Sequence, residues 1–231
     1  MIIKPDLIVT WPRNNDYPLW RHYIRQNRDL FNKVIVSFME TNSGYDYRQF
    51  VYNAMAPDRV TFLPAIIPGS GQDWRDVSVN DSLKNSDADW VYFTEQDFFP
   101  KDGFWDSVNM AVIQGAEVVG VSDAGRLHPC SLLIKRSVLD KTGKYFGIGP
   151  NRYDHFGKIQ QDLAEIQPKT AIITDDLYKH YNGLSHNFSL LSGGQQPNYK
   201  PEEFGDYVKQ CLACGIELEQ MWVKISGRLT L

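Results

Sequence analysis

Two carboxylates, Glu95 and Asp97, stand two residues apart at the end of an apolar, aromatic run, "DWVYFTEQDFFP" (89–100). Charged side chains are seldom buried without a partner, because stripping their water is costly. A divalent cation is one such partner. Mg2+ and Mn2+ take oxygen ligands, and Mg2+ commonly links one or two carboxylates to substrate phosphates. Acid-x-acid triplets are also frequent in plain surface turns. The spacing alone therefore leaves open a metal site and a pair of incidental acids.

The elements around the pair narrow the choice. "DLIVTW" (6–11), "KVIVSFM" (33–39), "RVTFLPA" (59–65) and "WVYFTEQDFF" (90–99) are short β-branched or aromatic runs that predict strands, the last running into a loop. "LWRHYIRQNRDLF" spaces Leu19, Trp20, Tyr23, Ile24 and Leu30 on one helical face. "RDVSVNDSLKNSD" predicts a helix ending near Ser86, entered from the turn-rich loop "PGSGQDW". Farther on, "AEVVGVSD" and "TAIITD" predict strands, and "CSLLIKRSVLDKTG" a strand followed by a short helix. A helix is expected from about Tyr153, a loop over 176–198, and a final helix in "KPEEFGDYVKQCLACGIELEQMWVKI", with Pro201 and two glutamates suited to its first turn. Strands alternating with helices imply a mostly parallel sheet, whose ligands bind at the carboxyl ends of the strands. Glu95 and Asp97 fall at that edge, as do the loops after Trp11 and Met39.

Composition sets the outer limits. The 231 residues carry a formal net charge of -4, with 42% hydrophobic and 23% charged residues and no basic run that would suit a nucleic-acid backbone. Cys130, Cys211 and Cys214 are too few for a disulfide scaffold. Neither a signal peptide nor a membrane-length apolar run is visible, so the expected setting is reducing and cytoplasmic.

Taken in order, these features resemble the GT-A fold of nucleotide-sugar-dependent glycosyltransferases, over about Lys4 to Ser192. "DLIVTW" is similar to that family's first strand, and "SFMETN" places Glu40 where members hold the nucleoside. "DWRDVSVNDSLKNSDADWVYFTEQDFF" resembles the helix and strand leading into the family's DxD-type motif, here Glu95-Gln96-Asp97. "CSLLIKRSVLDKTGKYFGIGPNRYDHFG" resembles the acceptor-side strand and helix, and "HYNGLSHN" the late loop that supplies a metal-binding histidine.

The resemblance implies an α/β domain over 1–192, with a Rossmann-type, mostly parallel sheet flanked by helices, and a helical C-terminal extension over 193–231. It implies transfer of a hexosyl or pentosyl group from a nucleotide-diphosphate sugar to a hydroxyl acceptor, with inversion. The divalent cation, Mn2+ or Mg2+, would be held by Asp97 with His186 or His180, His186 being preferred. Donor contacts would come from Trp11, Arg13, Glu40, Trp74, Arg75, Asn80 and Glu95, and the general base would be Asp154, with His155 beside it. The acceptor is open among glycan, lipid, protein, small molecule and modified nucleic acid, and a homo-oligomer is possible.

Several of these residues have a plainer reading. Arg13 suits a phosphate or simple solvation, Trp74 a base or a core cap, Asn80 a substrate contact or a helix cap. His128 suits an acceptor contact or a structural role. Cys211 and Cys214 share a helical face, and core packing accounts for them, since zinc needs about four ligands and no second pair exists. Two rivals remain: a nucleotidyltransferase that makes the activated sugar, and a non-catalytic module of the same fold. The loop "TWPRNNDYP" lacks the glycines expected of the first.

Overall fold

The computed structural model describes residues 3–12, 16–39, 46–65, 74–123, 126–142, 157–181 and 201–218. The β-branched runs become strands covered on both faces. β1 (Asp6–Pro12) and β2 (Val34–Met39) pair in parallel from Leu7↔Val34 to Pro12↔Met39 and are buried almost throughout. β3 (Thr61–Leu63) joins β2, and β4 (Trp90–Thr94) joins β1, both in parallel. β7 (Arg126–Lys135) then runs antiparallel beside β4, and β6 (Val118–Asp123) antiparallel beside β7. β8 (Thr170–Ile173) closes the edge parallel to β6. The strand order is β3-β2-β1-β4-β7-β6-β8. Four of its six pairings are parallel, as the alternation of strands and helices predicts.

Alternation along each strand sorts the core into two layers. Leu7, Val9, Trp11, Val34 and Val36 face one layer. There they meet α1 (Pro18–Asn27), α2 (Arg48–Met55), α4 (Phe104–Ile113) and α7 (Pro201–Ala213), through Ile24, Val51, Val108 and Phe204 among others. Ile8, Ile35, Val91 and Phe93 face the other layer, against Val79 of α3 (Trp74–Lys84), Val138 of α5 (Arg136–Leu139) and Ile159 of α6 (Gly157–Ile166).

Helix ends follow local chemistry. Pro18 opens α1, where a missing N–H costs nothing. Next to it, the Leu19 N–H donates to the Tyr207 hydroxyl of α7 at 3.2 Å, which satisfies a donor that no side-chain cap supplies. The last helix is thus part of the main core, with Phe204, Tyr207, Val208 and Cys211 all buried. Periodicity did not single out α2 and α4, although Asp46 Oδ1 accepts the Arg48 N–H at the start of α2 at 3.1 Å. Among the described residues, no helix is long and apolar enough to cross a membrane.

Asp6 pins the amino edge of the sheet. Its Oδ1 accepts from Asn32 Nδ2 at 2.9 Å and the Lys33 N–H at 3.1 Å. Its Oδ2 accepts from Ser86 Oγ at 2.8 Å and from the Asp87 and Ala88 N–H groups at 3.0 and 3.2 Å. One carboxylate therefore ties β1 to the segments entering β2 and β4. At the opposite edge the chain has gone outward through β2 and β3 and returned to β4 on the other side of β1. The reversal makes the carboxyl ends of β1 and β4 a topological switch point.

A second, two-stranded sheet stands at that end. β5 (Phe98–Pro100) pairs antiparallel with β9 (Tyr178–His180), so that Phe98 lies opposite His180. The sequence reading assigned residues 176–198 to a loop; the structure corrects this for Tyr178–His180. Three residues are too few to show a period, and their pairing partner lies 80 positions away.

Candidate active site

β4 delivers its last residue, Thr94, to the switch point, and a tight turn follows. The Glu95 N–H donates to the Cys130 carbonyl at 3.1 Å, and Thr94 Oγ1 donates to the same oxygen at 3.1 Å. The Phe98 N–H reaches back to the Glu95 carbonyl at 3.4 Å, and the Tyr181 N–H donates to the Asp97 carbonyl at 2.8 Å. The backbone of β7 thus fixes one end of the turn, and the chain just after β9 fixes the other. Glu95 and Asp97 project from a braced segment.

The bracing brings a histidine to the carboxylates. His180 Nε2 lies 3.5 Å from Asp97 Oδ1 and 4.0 Å from Glu95 Oε2. One ligand atom from each of the three residues lies within 4.8 Å of the other two. Asp97 Oδ1 is buried and has no hydrogen bond among the described residues. A buried carboxylate oxygen in that condition calls for a positive partner, which a protonated His180 or a bound cation can supply. Two carboxylate oxygens and one imidazole nitrogen form a donor set suited to Mn2+, and to Mg2+ with added water. The residues therefore fit a divalent cation.

Electrostatics agree with this. Burial pushes the His180 imidazole toward losing its proton, but Asp97, Glu95 and Glu203 outweigh it and hold the pKa above the usual histidine value. The pocket thus favours positive charge. Arg75, in the first turn of α3, supplies some of it by placing Nη1 3.2 Å from Glu95 Oε1. Both partners are partly open to solvent, so the pair contributes little to stability.

The other candidates scatter. Trp11 is wholly buried and meets Tyr17 and Trp20 edge-on, both at 5.3 Å between ring centres. The ring packs the core and presents no open face to a donor, which corrects its assignment as a donor contact. Its placement follows from the strand's own alternation with Leu7 and Val9. Asn80 lies five residues beyond Arg75 in α3, about 7–8 Å along the helix axis. Trp74 opens the same helix. Arg13, Glu40, Asp154, His155 and His186 lie outside the described residues. Glu95, assigned to the donor from sequence, stands in the same cluster as Asp97 and His180.

Sequence reasoning missed how His128 and Cys130 sit here. Both lie on β7, and their ligand atoms group with that of His180. Positions two apart on a strand share a face, and that signal was available. Together with Ser122, Asp175 and Tyr178 these residues line a cavity of about 290 Å3. A larger cavity, about 820 Å3, opens elsewhere between α1, β5, β9 and α7, and none of the three clustered residues lines it.

No protein-family model matches the chain, and no curated protein matches it in sequence. Solved structures do. A mannosyltransferase from Pyrobaculum calidifontis, in complex with GDP-Man and Mn2+, superposes with a TM-score of 0.54 at 13% identity, covering 98% of this chain and 80% of that one. Glucosyl-3-phosphoglycerate synthase from Mycobacterium tuberculosis gives a TM-score of 0.56 at 13% identity, covering 94% and 82%. The same enzyme with Mn2+, UDP-glucose and phosphoglyceric acid gives 0.54 at 14% identity, covering 94% and 81%. At such identities the likeness establishes the fold, which is of GT-A type.

Proposed function

We propose that this protein is a cation-dependent glycosyltransferase that moves a sugar from a nucleotide-diphosphate sugar to a hydroxyl acceptor. The observation that carries this reading is the convergence of Glu95, Asp97 and His180 at the switch point, with Asp97 Oδ1 buried 3.5 Å from His180 Nε2. Glu95, Asp97 and His180 would hold Mn2+ or Mg2+, and the bound ion would supply positive charge against the departing pyrophosphate. The solved relatives support the donor class, since one is described with GDP-Man and the other with UDP-glucose, each with Mn2+.

The chain's own groups have separate tasks. The β5–β9 pairing holds the His180 ring, so little ordering remains to be done on binding. Arg75 places a planar, permanently charged fork at the mouth of the site, where it can exchange Glu95 for donor phosphate oxygens. The amino end of α3 adds its dipole for the same anion. Glu40, Arg13, Trp74 and Asn80 are the further donor-side contacts proposed from sequence, and His186 is the other histidine proposed from sequence for the cation. Asp154 is the proposed general base, accepting the acceptor's hydroxyl proton as the anomeric carbon gains oxocarbenium character. A base on the face opposite the leaving group gives inversion; NMR analysis showing a retained anomer defeats that part. The three free cysteines suit a reducing compartment.

A thermal-shift screen of UDP, GDP, CDP and their sugars, with and without Mn2+, tests the reading. We expect at least one nucleotide sugar to raise the melting point only when Mn2+ is present. If none does, the reading fails. Binding without donor hydrolysis or transfer would select the non-catalytic module. In Asp154→Asn we expect transfer to be lost with donor binding retained.

A further inference from the structure

We propose that His128, Cys130 and His180 form a second, thiolate-containing cation site of zinc type that shares His180 with the carboxylate site. One ligand atom from each residue lies within 4.8 Å of the other two. The His128 and His180 rings meet edge to face at 5.0 Å between centres. The Cys130 side chain is buried, and the residue lines the 290 Å3 cavity together with both histidines, which leaves room for a fourth ligand. His128 Nδ1 accepts the Cys130 N–H at 3.1 Å, which fixes the ring next to its own strand's thiol. Ligation releases the thiol proton to solvent, and it keeps this hydrogen bond if His128 binds through Nε2.

The donor set selects the ion. Thiolate and imidazole favour zinc and its relatives, while carboxylates favour Mg2+ and Mn2+. Three protein ligands with an open fourth position are a recognised zinc arrangement. Bond lengths in tetrahedral zinc place neighbouring ligand atoms about 3.3–3.6 Å apart, so any wider spacing in the triad must close on binding. Side-chain rotations of His128 and Cys130 can supply that movement.

The shared residue couples the two sites. A neutral imidazole has one nitrogen lone pair free and one N–H. A cation bound with His128 and Cys130 therefore takes from the Glu95–Asp97 site its only nitrogen ligand among the described residues. A zinc-type ion should weaken Mn2+ binding without occupying the carboxylates. This coupling rests on the function proposed above, whereas the thiolate site itself does not.

Co2+ added to the purified, metal-free protein reports the site through a thiolate-to-cobalt charge-transfer band. We expect the band in the parent, its loss in Cys130→Ser, and an affinity at least about tenfold weaker in His128→Gln. Gln can still accept the Cys130 N–H, so the second variant carries the test if the first does not fold. The band should persist in Asp97→Ala and in Cys214→Ser. No band in the parent, a band surviving in folded Cys130→Ser, or parent affinity in His128→Gln overturns the site. Saturating Zn2+ should reduce the Mn2+ thermal shift; an unchanged shift overturns the sharing. A parent that shows the cobalt band but no Mn2+ shift leaves this site standing and removes the glycosyltransferase reading instead.

Discussion

Replacing Asp97 with alanine should silence the cation response while leaving the fold nearly as stable as before. A ligand that binds only the native state stabilises it by about 2.7 kcal/mol at a hundred times its Kd. For a chain of this size each kcal/mol moves the melting point by about 2–4 °C, so Mn2+ at that excess should raise the parent by about 5–11 °C. Without Asp97 the cluster keeps one carboxylate, whose Oε1 is already held by Arg75 at 3.2 Å, and one imidazole. The shift should then fall close to zero. The cost to the metal-free form is small, because Asp97 Oδ1 has no hydrogen bond to lose among the described residues. Its 3.5 Å contact with His180 joins two side chains only 13% exposed, but without Asp97 the imidazole can stay neutral, so the loss is about 1 kcal/mol. The metal-free variant should therefore melt within about 4 °C of the parent. Differential scanning fluorimetry across an Mn2+ series reads both quantities. A variant that keeps the full Mn2+ shift refutes the ligand assignment. A variant whose metal-free form loses far more than 4 °C makes Asp97 a structural residue.

Three further outcomes follow from other parts of the fold. Asp6→Ala leaves five donors without their acceptor and should cost about 3–5 kcal/mol, lowering the melting point by about 6–20 °C; an unchanged melting point would show that water replaces the carboxylate freely. Tyr207→Phe removes the acceptor of the buried Leu19 N–H and should cost about 1–3 kcal/mol in urea unfolding, with an unchanged m-value. Burial pushes the Cys211 thiol up to about 12, so at pH 8 a thiol reagent should label the half-buried Cys214 and spare Cys211 in the native protein; equal labelling of both would contradict the buried placement.

Much of the sheet was legible because its central strands obey one rule. Leu7–Val9 and Val34–Val36 are continuous aliphatic runs, and such runs form when both faces are covered. The carboxylate pair was legible for the complementary reason, as charge at the end of a buried strand demands a partner. What stayed hidden depended on distant pairing. Tyr178–Lys179–His180 has no period of its own and becomes a strand only against Phe98–Pro100. The sequence reading preferred His186 to His180, because the pairing that brings the His180 imidazole to Asp97 leaves no mark in the local sequence. Trp11 misled in the opposite direction. It ends a strand that points at the site, but its own face of that strand turns into the core.

The long reach of the β5–β9 pairing has a consequence for biosynthesis. Chains emerge amino end first and fold largely in that direction. The seven-stranded sheet takes all its strands from residues before 174, but the imidazole arrives only with His180, next to the Tyr181 N–H that donates to the Asp97 carbonyl. A product truncated ahead of that point would carry both acids and no nitrogen to complete the coordination. On the proposed function, cation binding would be withheld from fragments that end before His180, even where these have already assembled most of the sheet.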